Sequence, residues 1–375
     1  MRSSYFLFFV VLLFAACNKK EPQSPTLPIP ENKLPIPTFQ NPGYFGNRLN
    51  IPADNPVTEK GVLLGRWLFY DKSLSADNTI SCGSCHQQSK GFTDGRERAV
   101  GIRGQTVSFN TMGLHNQAWV MRHFWNGRAT TLEQLTLEVI ENPAEMDLPL
   151  PQLVEKLKAN PMYPPLFQQA FGTSDITPQR VAQAISQFIR TMVASNSKFD
   201  KYKRGQATFT EQEKLGEQLF FQHPFPDQGI RGANCGDCHL GISTAGSQLN
   251  FNGFHNNGLD ENPAQGLMQV TGSATDKGKF RAPSLRNIAV TAPYMHDGRF
   301  ATLRQVIDHY DLHIRTSTTL DPLIIEASNE LLFPGDPIQL HLTEIEKEAL
   351  LAFLQTLTDS TLLTNPAWSN PFDVK

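Results

Sequence analysis

A mainly α-helical fold built from two tandem copies of one small domain is what this sequence predicts, and three observations predict it. The stretch "LGRWLFYDKSLSADNTISCGSCH" returns in altered form as "LGEQLFFQHPFPDQGIRGANCGDCH", and "FWNGRATTLEQL" returns as "MHDGRFATLRQV", which is the mark of an internal duplication. Helix-start signals recur, with Thr177 ahead of Pro178 and capping boxes at Thr210 to Glu213 and Thr343 to Glu346. Strand signals are weak, and glycine and proline punctuate the connections. At 375 residues, 39% hydrophobic and 18% charged, the chain is long enough for two domains with one core each.

In chain order, the first element is "MRSSYFLFFVVLLFAAC", with one early arginine, an apolar run from Tyr5 to Phe14 and two alanines before Cys17. It reads as a secretory signal over residues 1–16. The run is short for a membrane span, and a cysteine directly after Ala15-Ala16 resembles a lipoprotein cleavage box, so the mature chain is expected to start at a lipidated Cys17. An ordinary signal peptide with an incidental cysteine is the alternative. Either way the expectation is export to the periplasmic side, with a membrane met only through the lipid anchor. Residues 17–50 follow, with Pro22, Pro25, Pro28, Pro30, Pro35 and Pro37 too closely spaced for a helix or an inner strand, and read as an extended tether. The first domain is expected over 51–205 and the second over 206–375. A formal net charge of −3 argues against a nucleic-acid partner.

The chemistry sits in the two Cys-x-x-Cys-His pentads. Of 5 cysteines, Cys82, Cys85, Cys235 and Cys238 are all consumed by them and Cys17 lies in the leader, which leaves no disulfide framework. In such a pentad the two thiols add to the vinyl groups of a haem and the adjacent histidine becomes the proximal ligand of its iron. His86 and His239 are therefore expected as proximal ligands of two covalent c-type haems. A zinc knuckle or a thioredoxin-like redox pair explains the cysteines but not two adjacent histidines. The fold class then sharpens to two tandem cytochrome c-like helical domains, one haem in each, facing an interdomain region.

Taken with the pentads, "FWNGRATTLEQ", "NPAEM" and "FRAPSLRNIAVTAPYMHDGRFATL" make the chain resemble the bacterial di-haem cytochrome c peroxidases and their relative, the di-haem enzyme of methylamine utilisation. The resemblance runs from about Pro52 to the C-terminal helix. It implies that the haem above His86 is the peroxide site, that Glu145 of "NPAEM" moves the peroxide proton, and that Trp125 of "FWNGR" lies between the haems as an electron relay. It also implies a calcium ion between the domains, bound at Asn110, Thr291 and Pro293, whose bland alternative is a turn-forming role. For Glu145 the alternative is an ordinary surface acid, and for Trp125 a core residue. His296, at Trp125's place in the second copy, is expected to face the interdomain region.

Departures from the family pattern carry information too. Members that need reductive activation hold a loop histidine over the first iron, and Ile102 of "ERAVGIRGQT" stands there, which implies an open, ready site. His115 and His123 are the nearby histidines that an altered loop would bring in. Leu135 occupies the place of the family's glutamine, with Gln134 one residue off. At the second haem, Tyr310 of "TLRQVIDHYD" stands where the family usually has a methionine, on one helix face with Leu303, Val306 and Ile307. Met268 and Met295 are the competing ligands. The leading expectation is reduction of hydrogen peroxide to water with electrons from a small exported cytochrome c or cupredoxin. Ile102 and Tyr310 favour the alternative, oxidation of another protein's side chains with the oxidising equivalent shared across Trp125 and a His/Tyr haem. A plain di-haem electron carrier is a third reading, and the resemblance leaves room for a homodimer.

Overall fold

In the computed structural model, which describes residues 32–239 and 253–373, helices dominate. Along the first half run α1 (Glu59–Tyr70), the single turn α2 (Cys82–Cys85), α3 (Leu132–Glu141), α4 (Leu150–Ala159), α5 (Tyr163–Phe171) and α6 (Pro178–Arg190). The second half has α7 (Lys198–Lys203), α8 (Glu211–Phe221), the turn α9 (Cys235–Cys238), the short α10 (Met268–Thr271), α11 (Leu303–Leu312), the short α12 (Pro322–Ile325), α13 (Glu344–Gln355) and α14 (Ser360–Thr364). The described strands are β1 (Phe254–His255) and β2 (Phe280–Arg281), which pair antiparallel with Phe254 opposite Arg281.

The helix starts are where their capping residues place them. Thr177 accepts from the Arg180 backbone N–H ahead of α6, and Thr210 and Thr343 form capping boxes with Glu213 and Glu346 at α8 and α13. Each cap satisfies a donor that the first helical turn otherwise leaves unpaired.

Two apolar clusters hold the two halves. The first gathers Leu64, Leu68, Phe69, Ile185 and Phe188 with residues of α4 and α5, all buried. The second gathers Leu219, Phe220, Leu350 and Phe353 with Leu303 and Ile307 of α11. Their centres are built alike. A Cβ on Gly65 of α1 would lie 1.9 Å from the Ala184 carbonyl oxygen of α6, and a Cβ on Gly216 of α8 would lie 1.9 Å from the Ala349 carbonyl oxygen of α13. In each half a glycine thus lets the helix before the attachment turn touch the backbone of a later helix.

Buried polar contacts gather around α7, where the two halves join. Arg286 Nη1 donates to Asp200 Oδ2 over 2.7 Å with both side chains sealed from solvent. Asp200 also accepts from Tyr44 Oη at 2.6 Å and from the Ser197 backbone N–H at 2.8 Å. Asp359 accepts from the backbone N–H groups of Ser195 and Asn196, each at 2.9 Å.

After α13 the chain crosses back to the first half. Tyr70 Oη donates to the Trp368 carbonyl at 2.6 Å, Arg66 Nη1 to the Ala367 carbonyl at 2.9 Å, and Gln88 Nε2 to the carbonyls of Leu362 and Asn365. Trp67 meets Phe372 edge to face. Among the described residues no helix is long and apolar enough to cross a membrane. Cys17, the leader and the start of the proline-rich tether lie outside the described residues.

Candidate functional site

In the first half, α2 puts Cys82 and Cys85 one helical turn apart as free thiols. Burial, reinforced by the charges of neighbouring groups, pushes Cys82 up to about 12 and Cys85 up to about 11, so both stay protonated. The next residue, His86, sets Nδ1 2.8 Å from the Phe92 carbonyl. Gly91 and Phe92 both take positive φ, +63° and +61°, to turn that carbonyl back. Burial lowers the His86 pKa. A neutral imidazole with Nδ1–H donated to a carbonyl has its Nε2 lone pair free for a metal, which is how second-shell contacts prepare a histidine ligand.

Glu145 follows α3 in a turn closed by Asn142, whose Nδ2 donates to Glu145 Oε1 at 2.9 Å and whose Oδ1 accepts from the Ala144 N–H at 3.0 Å. Burial raises Glu145 to about 7, against the opposing pull of Asn142 and Arg128. Its charge in turn raises both attachment thiols, Cys82 and Cys85, which fixes Glu145 near the α2 turn. Ile102, buried, is latched to the same place by its N–H to the Glu145 carbonyl at 3.0 Å. The structure thus brings together Cys82, Cys85, Glu145 and Ile102. Gln134 points outward, exposed and spent on Thr130 and Glu138.

The second half repeats the attachment. Cys235 and Cys238 of α9 are free thiols, and His239 Nδ1 lies 3.0 Å from the Pro283 carbonyl. Burial pushes His239 down to about 4. Above this turn opens a cavity with a mainly apolar lining, walled by Leu303, Val306, Ile307 and Tyr310 of α11 and by Leu350 and Leu354 of α13. The face of α11 read from its sequence is therefore the face turned to the cavity. Tyr310 Oη accepts from Asn257 Nδ2 at 3.2 Å, and the same amide reaches Met295 Sδ at 3.4 Å. Burial raises the Tyr310 hydroxyl far above its ordinary value. Met295 also lines this cavity, whereas Met268 sits on α10 outside its wall.

The cavity extends to the region between the halves. Trp125 lines it, buried, with Nε1 donated to the Asn110 carbonyl at 2.9 Å. Its ring meets His296 edge to face at 6.4 Å, and His296 stacks on Phe280 at 3.7 Å. Asn110, Thr291 and Pro293 line the same cavity. Asn110 Nδ2 is held by the carbonyls of Arg96 and Glu97, which turns Oδ1 away from them. His115 lines the cavity and is pushed down to about 4 by burial. His123, buried, sets Nδ1 3.2 Å from Gln117 Oε1.

Two residues of the cavity wall escape sequence reasoning. Arg281 is buried in the cavity wall with Nη2 3.1 Å from Met112 Sδ and Nε 3.4 Å from the Phe124 carbonyl, and burial pushes it down to about 10. Among the described residues it has no carboxylate partner, although a buried guanidinium needs one. Its place in "FRAPSLRN" was the available signal. Asn257, which spans Tyr310 and Met295, stands in no motif.

These residues fit a haem in each half. Each half offers two unpaired thiols on one turn and a histidine whose Nδ1 is already taken by a carbonyl, and Arg281 is a buried cation short of an anion such as a propionate.

Comparisons with known proteins agree. A family model described as di-haem cytochrome c peroxidase matches residues 59–208. The cytochrome c551 peroxidase of Nitrosomonas europaea is 36% identical over 260 residues, 69% of this chain and 75% of that protein. The methylamine utilization protein MauG of Methylophilus methylotrophus is 31% identical over 333 residues, 88% of this chain and 91% of that protein. Among solved structures, a MauG-like protein associated with microbial copper homeostasis superposes with a TM-score of 0.75 at 36% identity, covering 88% of this chain and 97% of that one.

Proposed function

Because this chain belongs to the di-haem cytochrome c peroxidase family, we propose that it reduces hydrogen peroxide to water, using two protons and two electrons drawn from a small exported redox protein. The observation that carries this reading is Glu145, a half-buried carboxyl raised to about 7 and held by Asn142 beside the α2 turn. When bound, the haems supply the iron at which peroxide is reduced and a store of single electrons.

The protein's own residues do the rest. Cys82 and Cys85 in the first half, and Cys235 and Cys238 in the second, would hold the two groups covalently, and His86 and His239 would hold them through Nε2. Above about pH 7 the Glu145 carboxylate takes a proton from the bound peroxide and returns it to the departing oxygen, the task a positioned acid of matched pKa performs well. Asn142 fixes the oxygen that accepts, and Ile102 covers the site without offering a ligand. In the second half Tyr310, its hydroxyl oriented by Asn257, would be a further ligand to the group, with Met295 the competitor in the same wall. Arg281 meets a haem carboxylate. Trp125, with His296 beside it, relays electrons between two domains spanning 51–205 and 206–375. Asn110 Oδ1 and the carbonyls of Thr291 and Pro293 give a calcium ion neutral oxygen ligands, the kind a hard cation accepts. We place the protein outside the cytoplasm, held by a lipid on Cys17.

The MauG resemblance and Tyr310 support one second reading, oxidation of a partner protein's side chains through Trp125. Both readings require Glu145, and an electron carrier does not. Replacing Glu145→Gln is expected to cut peroxide turnover by about 10²–10⁴ and to remove the fall in rate expected of the unaltered protein below about pH 7. Turnover within about twofold of the parent, with the pH limb intact, sinks the acid-base role.

A further inference from the structure

The internal duplication makes each half a control for the other, and the charges beside the two attachment turns differ. Around Cys85 the charged neighbours are Asp94 and Glu145, with Arg96 opposing them. Beside Cys238 stands His255 instead. Its ring hydrogen-bonds the Cys238 sulfur, and its Nδ1 lies 2.6 Å from Asp321 Oδ2.

Two elements hold this pair in place. His255 lies on β1 opposite Phe280 of β2, and Asp321 caps α12, where its Oδ1 accepts from the Leu323 N–H at 3.0 Å. His255 lines the cavity together with Cys235, Cys238 and His239, whereas Asp321 stands behind it, on an outer groove that His255 also lines. Lys279 shares that groove but is paired with Asp276 at 3.0 Å. Burial works against a charged ring at His255, but Asp321 and the Cys238 sulfur outweigh it and raise the imidazole to about 10. The ring is therefore an imidazolium at neutral pH, and the pair is a dipole whose positive end faces the cavity. Once Cys238 is a thioether, its sulfur remains a weak acceptor and Asp321 remains the counter-ion.

We propose that the His255–Asp321 pair sets the reduction potential of the second haem, by fixing a positive charge at the edge of that haem joined to Cys238. The inference rests on the reading that Cys235, Cys238 and His239 hold a haem. Reduction adds one electron to the ferric iron, and no bond forms or breaks. The ferrous haem carries one positive charge fewer, so a neighbouring cation stabilises it and a neighbouring anion does the reverse. The mainly apolar lining of the cavity keeps water from screening that charge. The cation also works against Tyr310, since a phenolate donor favours the ferric state that the imidazolium disfavours.

The test is a spectroelectrochemical titration of the holoprotein at about pH 7, with dithionite and soluble mediators, following each haem separately. His255→Gln leaves Asp321 a lone carboxylate and should lower the second haem's reduction equilibrium constant about tenfold, which is about 59 mV for one electron. Asp321→Asn lets burial return the ring to neutral and should lower it by less. His255→Lys restores a cation and should stay within about threefold of the parent. The first haem should keep its potential throughout. A second haem within about twofold of the parent in His255→Gln overturns the proposal. So does His255→Lys falling as far as His255→Gln, because shape rather than charge would then set the potential. If His255→Gln does not fold, an Asp321→Asn potential equal to the parent's overturns it alone. The haem count per chain separates this claim from the one beneath it: one haem sinks both, whereas two haems with unmoved potentials sink only the role of His255.

Discussion

The two halves share an inside and differ in everything that faces it. Each packs the helix before its attachment turn onto a later helix through a glycine, Gly65 on Ala184 and Gly216 on Ala349. Each sets Nδ1 of the pentad histidine against a backbone carbonyl, Phe92 for His86 and Pro283 for His239. The loops then diverge. Over the first turn come Ile102 and a titratable Glu145; over the second come Tyr310 and the Asn257 amide. Outside, residues 360–373 pack over the first half, whereas among the described residues Phe221 of the second is 45% exposed. Helix contacts and histidine orientation are thus what a haem-binding unit must keep, and reactivity is set by loops that duplication leaves free to change.

The largest expected effect breaks the comparison from inside its second term. Asp200→Ala strands Arg286 in the interior and strips Tyr44 and Ser197 of their acceptor. A loss of about 3–5 kcal/mol in chemical denaturation is expected; a loss under about 1 kcal/mol would mean the second half stands without this contact. Burial works to raise the Asp200 pKa, but Arg286, Tyr44 and Ser197 outweigh it and hold it below the ordinary carboxylate value. The folded pKa is therefore the depressed one. Its stabilisation is complete above about pH 4 and is lost as pH falls through the folded pKa, a loss the alanine variant should not show.

A smaller effect sharpens the comparison. Gly65→Ala and Gly216→Ala each force a methyl into a backbone carbonyl at 1.9 Å. Each should cost about 1–3 kcal/mol in thermal unfolding, and the two costs should match. A large cost at one site alone would show that the halves are not packed on the same plan.

Much of this was legible in the sequence because its signals are local. The two pentads, the caps at Thr177, Thr210 and Thr343, and the cavity face of α11 each rest on spacings within a few residues. What stayed hidden depends on contacts between distant residues. Nothing in the composition of residues 360–373 says that Trp368 and Ala367 return to Tyr70 and Arg66. Arg281 looks like any arginine until its burial without a carboxylate is seen, and Asn257 has meaning only because the fold sets it between Tyr310 and Met295. The same holds for the two sulfurs that compete with Tyr310: Met295 lies in the cavity wall and Met268 outside it.

The central claim is that like scaffolds carry unlike iron sites, open above His86 and closed by Tyr310 above His239. Low-temperature electron paramagnetic resonance of the oxidised holoprotein, repeated on Tyr310→Phe, tests it most directly because spin state reports axial coordination. The account predicts one high-spin and one low-spin ferric signal, with only the low-spin signal altered by the substitution. Two low-spin signals, both untouched by Tyr310→Phe, would contradict it.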